Sequence, residues 1–304
     1  MGESNKLSNG KIKAFGSYHP IPLMVYFLSV IITAMFIINP VMLITALLGG
    51  ICFYAKLQRG RIFWSDIAFY IPMFLMIAVT NPLFSHNGVT PLFFLNGNPV
   101  TLEAVLYGAD IAIMLVAIVY WCKCYSIIMT TDKFLYLFGK AIPKLSLVLS
   151  MALRFIPRFK TQIKQISNAQ KAMGLYTSES FIDKIRSGCR VFMSIISWSL
   201  ENSIETGSSM KARGYGLKGR TNFSVFRFTS NDYILLAVSV VLIAATGAGL
   251  ALKAVDFSFY PRISSVLLQP ISIITYISFG ILSFLPFMIE LKESIKWKCY
   301  ISKI

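Results

Sequence analysis

Histidine is almost absent from this chain: only His19 and His86 occur among 304 residues. Acidic residues are scarce as well, 13 Asp and Glu against 29 Lys and Arg. The five cysteines, Cys52, Cys122, Cys124, Cys189 and Cys299, form no C-x-x-C pair. Each shortage removes a class of chemistry. A zinc site wants four convergent Cys or His ligands at recognisable spacing. A membrane-embedded enzyme needs H-E-x-x-H, a paired carboxylate set, or a nucleophile with its base. None of these assembles, so the expectation is no metal site, no cofactor and no catalysis by this chain.

What the chain has is apolar surface. It is 56% hydrophobic and 14% charged, with a mean hydropathy of +0.66. A soluble domain carries roughly 45–50% apolar and about 25% charged residues. These values predict a polytopic helical membrane protein, with the cysteines as free thiols in or near the bilayer. Residues 1–20 are polar and basic, with Met1-Gly2 but no Ser or Thr at position six, and no small-residue cleavage pattern follows. They are expected to form a tail, neither a signal peptide nor a myristoylation site.

A span needs about 20 mainly apolar residues. The first candidate runs from Ile21 to Ile38 and is broken by Asn39-Pro40. The second, Val41 to Leu57, contains Gly49-Gly50, and the third, Ile62 to Val79, is closed by Asn81-Pro82. Residues 81–101 are rich in Asn, Gly and Pro and predict a loop, with His86-Asn87-Gly88 as turn chemistry. The fourth span is Leu102 to Tyr120. Tyr233 to Leu252 and Ile263 to Leu291 follow after a long middle region, the last either spanning with tilt or breaking at Pro270 or Pro286. The count is six to seven spans.

The net charge of +16 then finds a topological explanation. Lys and Arg number three before the first span, three in 56–61, seventeen in 123–230, two in 253–262 and four after the last span, with none in 39–40 or 81–101. Assigned alternately to the two sides, 27 lie on one side and two on the other. The positive-inside rule makes the rich side cytoplasmic. The expected organisation is a cytoplasmic tail (1–20), four spans (21–122), a cytoplasmic region (123–230), the C-terminal spans (231–292) and a cytoplasmic tail (293–304). Both termini are cytoplasmic, and no nucleic-acid partner is needed to explain the basicity.

The middle region lacks alternating strand patterns and βαβ rhythm. "IPKLSLVLSMALRFIPRF" (142–159) is apolar but carries Lys144, Arg154 and Arg158. Long amphipathic helices in the membrane interface are predicted, one from about Ser180 to Arg213. Two stretches align without gaps: "SNAQKAMG" (167–174) and "GSSMKARG" (207–214). Both end in Gly, a helix stop signal. Around the second, Gly214, Gly216 and Gly219 fit G-x-G-x-x-G, and Gly214, Gly219, Arg220 and Thr221 nearly fit a P-loop. A phosphate cradle needs a strand before the glycines and a helix after them. Here the helix comes first and would offer the negative end of its dipole. The glycines therefore predict a helix stop, and Arg213 is either a capping charge or a tip that docks into a partner.

These residues resemble the transmembrane (T) component of energy-coupling factor transporters, within the ATP-binding-cassette systems. "SLVLSMALRFIP" (146–157) resembles that family's Leu-rich helix ending in Arg-Phe-Ile-Pro. "AQKAMG" (169–174) and "MKARGYG" (210–216) resemble its two Ala-Arg-Gly sites, and the overall topology is similar. The resemblance implies a non-catalytic subunit in the plasma membrane of a prokaryote, serving vitamin or transition-metal uptake. Two coupling helices would cross, with their tips in grooves on two ABC ATPase subunits that hydrolyse the ATP. The motion would pass to a separate substrate-binding membrane (S) subunit. Carried over by position, Ala212, Arg213 and Gly214 form one ATPase contact, and Lys171, Ala172, Met173 and Gly174 the other. Met173 departs from the pattern: either Lys171 supplies the charge or the groove there is apolar. The S-subunit interface would include Leu145, Leu149, Leu153, Phe155, Ile156 and Pro157.

The rival class is a secondary transporter or channel, because ionisable residues inside spans are functional by default. Asp66, Asp110 and Glu290 are the candidates. Asp66 is expected to cap the third span, and Asp110, without an evident charged or His partner, to make a structural hydrogen bond. No inverted repeat is found among the spans, as such a transporter would predict.

Overall fold

The computed structural model describes residues 14–58, 60–85, 88–95, 98–174, 181–217, 226–265 and 269–301. Nine helices are present among them: α1 (Pro20–Phe36), α2 (Pro40–Leu57), α3 (Arg61–Phe84), α4 (Leu102–Ile128), α5 (Thr131–Ala141), α6 (Pro143–Ala172), α7 (Phe181–Ala212), α8 (Ser230–Ala251) and α9 (Pro270–Ile301). A hairpin of β1 (Pro91–Leu95) and β2 (Asn98–Thr101) precedes α4. α2, α3, α4, α8 and α9 are long and apolar enough to cross a membrane, and α1, of 17 residues, is a shorter apolar helix. The chain is an all-α polytopic membrane protein.

Two compact units are formed. The span unit comprises the chain up to Phe134 and from Phe226 onward; the second unit is 135–225. The span unit has an aromatic centre. Trp121 and Phe53 are fully buried, their rings 6.3 Å apart, and Phe15 lies edge-on to Tyr26 and Phe53 at 5.6 Å from each. The polar atoms of Trp121 and Tyr26 find backbone partners, as burial requires. Trp121 Nε1 donates to Ala46 O at 2.9 Å, and the Tyr26 hydroxyl donates to Leu282 O at 2.7 Å. The Gly49-Gly50 pair lets α2 approach two neighbours closely: a Cβ on Gly49 would lie 2.8 Å from Ser283 O in α9, and one on Gly50 3.2 Å from Trp121 in α4.

Several predicted boundaries shift. Asn39 caps α2, its side chain accepting from Val41 N, and Pro40 opens the helix, so that break stands. Asn81-Pro82 does not close α3, which continues to Phe84. Pro82 removes the N–H that would bond Ala78 O, four residues back. That carbonyl instead faces Gly108 of α4, where a Cβ would come within 2.6 Å of it. Close packing on a glycine thus covers the freed group, as happens in membrane helices. The 81–101 stretch contains the hairpin, with Phe94 opposite Pro99, where only a loop was expected. His86 and Asn87 lie outside the described residues. α4 continues eight residues past Tyr120 to Ile128, and α9 starts at Pro270 and runs through Pro286. Proline at a helix start costs little, because its missing N–H would have no partner there.

Asp66 is not the cap of α3; Gly60 holds that position. Asp66 lies one turn inside and pairs with Lys123 Nζ of α4 at 2.7 Å, while accepting from the Tyr54 hydroxyl of α2. The Lys123 ammonium also sits 4.9 Å from the Tyr70 ring centroid, a cation–π contact. Lys123, assigned by sequence to the cytoplasmic region, instead ties three spans together near their basic ends.

Candidate functional site

The second unit is built on α6 and α7, of 30 and 32 residues. Both are amphipathic, and α7 occupies the predicted stretch from Phe181, with Ser180 outside the described residues. α6 does not end at Arg-Phe-Ile-Pro; it runs through Pro157 for another four turns. The Thr161 hydroxyl donates to Pro157 O at 3.2 Å just beyond. The helices meet at Phe159 and Trp198, rings edge-on at 5.6 Å, beside a groove lined by Pro157, Thr161 and Asn202.

Connectivity fixes the sense of the crossing. From this contact α6 has about 20 Å left to its end, and α7 begins about 26 Å away along its own axis, at 1.5 Å per residue. The nine steps from Ala172 to Phe181 reach at most about 30 Å. A parallel crossing would need about 46 Å between those ends, so the helices cross in the antiparallel sense and their C-terminal ends point apart. By the same geometry Met173 and Arg213 stand no closer than about 30 Å.

The two ends are built alike. Met173 N donates to Ala169 O at 3.1 Å and Gly174 N to Lys171 O at 3.0 Å. At the aligned positions Arg213 N donates to Ser209 O at 3.1 Å and Gly214 N to Lys211 O at 2.9 Å. Tyr215 N closes the second stop on Met210 O at 3.0 Å, completing a Schellman motif. Gly174 and Gly214 take φ of 74° and 78°, the left-handed conformation that glycine adopts at least cost. The gapless alignment of 167–174 with 207–214 is thus also an alignment of backbone hydrogen bonds. Lys171, Ala172, Met173 and Gly174 are exposed at one end; Ala212 and Arg213 are exposed and Gly214 half-buried at the other. The chain direction at Gly214 is the one expected: helix before, not after. Gly219, Arg220 and Thr221 lie outside the described residues.

The six residues expected at an S-subunit interface divide. Leu145, Leu149, Leu153 and Ile156 fall within an arc of about 80° on α6, with Pro157 at its edge. Leu145, Ile156 and Pro157 are exposed, Leu149 and Leu153 half-buried. Phe155 lies off that arc and packs 6.2 Å from Phe159, toward the crossing. α7 adds exposed Phe192, Met193, Leu200 and Ile204.

In the span unit, Asp110 is buried and neither carboxylate oxygen has a hydrogen-bond partner among the described residues, so the expected structural hydrogen bond is absent. A transport pathway needs a series of polar groups. Among the described residues no salt bridge joins Asp110, and Glu290 accepts from Phe15 N at 3.0 Å.

Comparison with known proteins gives one answer. Residues 19–225 match the CbiQ family, described as cobalt transport protein. The energy-coupling factor transporter transmembrane protein EcfT of Lactobacillus helveticus is 27% identical over 222 residues, covering 65% of this chain and 76% of that protein. EcfT of Listeria innocua is 35% identical over 103 residues, 33% of this chain and 39% of its own, and EcfT of Brevibacillus brevis 32% identical over 111 residues, 36% and 42% respectively. The chain spans most of the first relative and about two fifths of each of the other two. With the family match running from the first apolar helix past both helix stops, the chain belongs to the CbiQ cobalt transport protein family and is a transmembrane component of the energy-coupling factor type.

Proposed function

We propose that this chain is the coupling subunit of an ATP-driven importer, passing the motion of two ABC ATPase subunits to a separate substrate-binding membrane subunit. The observation that carries the reading is the pair of matching, exposed helix stops held about 30 Å or more apart by one crossed helix pair. One groove cannot take both ends, which supports two separate docking sites, one on each of two partners. Ala212, Arg213 and Gly214 form one contact, and Lys171, Ala172, Met173 and Gly174 the other. The exposed apolar faces of α6 and α7 receive the substrate-binding subunit, since patches of this extent mark partner surfaces. The termini and the second unit face the cytoplasm, where ATP is hydrolysed by the partners. Vitamins and transition-metal ions are the substrate classes, with specificity held by the binding subunit.

Purification from the native membrane in mild detergent tests this. Two ATPase subunits and a small hydrophobic subunit should be recovered in fixed ratio with this chain. Recovery of the chain alone, still active in transport, would sink the proposal. The first contact has its own test. Met173→Arg places at this exposed end the residue found at the aligned position 213 and is expected to be tolerated, with ATPase binding retained. Loss of binding would show a groove shaped for methionine.

A further inference from the structure

The chain leaves the span unit at Phe134 and re-enters it at Phe226. Both places are held by one short segment. Phe15 is fully buried in the aromatic centre, and its N–H is bonded to Glu290 of α9. The next residue, Gly16, accepts a hydrogen bond through its carbonyl from Lys133 Nζ, one residue before the exit. Lys133 is only 7% exposed, and burial pushes its ammonium below the ordinary pKa, a cost that a surface lysine would not bear. Three residues on, the His19 ring packs 3.9 Å from Phe228 and 6.4 Å from Phe226, the first residues after re-entry. His19 N–H donates to Asp232 Oδ1 at 2.8 Å, and the other Asp232 oxygen accepts from Thr229 N and Oγ1, closing the capping box of α8. His19 also caps α1 through Nδ1, which accepts from Ile21 N at 3.2 Å.

We infer that Phe15–His19 is a clasp holding both chain crossings of the span unit, with Lys133 and His19 as positioning residues for the transmitted motion. The inference rests on the coupling reading. Motion carried along the chain arrives undiminished only if its points of entry do not yield, and both chain connections to the second unit are tied to the same five residues. Those residues are fixed in turn by Phe15 in the core and by the caps of α1 and α8. The clasp uses a buried ammonium on a carbonyl and a ring stack, both of which can be removed without deleting an apolar core side chain such as Phe15.

The test is a double variant, Lys133→Met with His19→Asn. Met keeps the aliphatic stem and loses the donor; Asn keeps an N-cap acceptor and loses the ring. Cys122 and Cys189 are exposed, one in each unit, and accept spin labels once Cys52 and Cys299 are serine, Cys124 being buried. In the purified complex with its ATPase subunits, the label distance is measured with Mg-ATP and with ADP. The expected result is a nucleotide-driven shift reduced at least twofold in the variant while ATPase turnover stays within twofold of wild type, and restoration of the shift by Lys133→Arg with His19 intact. A shift equal to that of wild type, or shift and turnover falling together, overturns the clasp. A wild-type complex with no shift overturns the coupling reading instead. The clasp then stands only if the variant's distance distribution is at least twice as broad as that of wild type, and falls if the widths are equal.

Discussion

Arg213→Glu is expected to weaken ATPase association by about 30-fold or more while leaving membrane insertion and thermal stability unchanged. Arg213 is exposed and caps a helix whose last carbonyls carry partial negative charge. A cation is favoured there and an anion opposed, but by only about 0.3–1 kcal/mol at an exposed site. Folding therefore barely registers the change. A docked tip is different. An Arg anchoring an interface typically contributes about 2–4 kcal/mol, and each 1.4 kcal/mol is tenfold in affinity. Titration of detergent-solubilised protein with the ATPase pair measures the loss, and the yield in the membrane fraction checks insertion. Arg213→Lys separates charge from shape, because Lys keeps the cation but not the planar fork. Full transport by the Glu variant would remove Arg213 from the mechanism.

Gly108→Val is expected to act in the opposite way, on stability first. A Cβ at Gly108 would stand 2.6 Å from Ala78 O and 3.0 Å from Asn81 Cβ. The first is backbone and cannot rotate aside. α3 must move off α4, and the carbonyl freed by Pro82 then loses its cover in an apolar medium. Overpacking of this kind costs about 1–3 kcal/mol, and an uncovered polar group adds about 1–3. Together these come to about 2–6 kcal/mol, and at about 2–4 °C per kcal/mol a drop in Tm of roughly 4–24 °C follows. Thermal unfolding in detergent, followed by the accessibility of buried Cys124, reads it. An unchanged Tm would mean that α3 and α4 separate at no cost, contrary to the packing at Gly108.

Much of this molecule was legible before its structure. Runs of apolar residues located each apolar helix with its ends off by up to about ten positions, because a bilayer imposes length and apolarity on any segment that crosses it. The helix stops at Gly174 and Gly214 were legible because only a few residue types suit a left-handed φ. Proline was the weak signal. Pro82, Pro157 and Pro286 all look like breaks in the sequence, yet each sits inside a helix. At Pro82 the lost hydrogen bond is compensated by Gly108, 26 positions away, and no local pattern carries that information. Lys123 misled for a related reason: its partner Asp66 lies on another helix, so in sequence it is one more basic residue near a cytoplasmic loop. The clasp was invisible for the same cause. Phe15, Gly16 and His19 sit in a tail that composition marks as polar, and their partners, Glu290, Lys133 and Phe228, are scattered over the rest of the chain.

The position of the Phe159–Trp198 contact has a mechanical meaning. Met173 stands 14 residues beyond it on α6 and Arg213 stands 15 beyond it on α7, arms of about 21 and 22 Å. Such a beam is balanced. Equal and opposite displacements at its ends turn it about the crossing, whereas equal displacements in one direction carry it bodily. Neither end has mechanical advantage over the other, so a force at one tip is worth as much torque as the same force at its counterpart. Shortening one helix by a single turn would break that balance, and the deficit would amount to about a quarter of the arm.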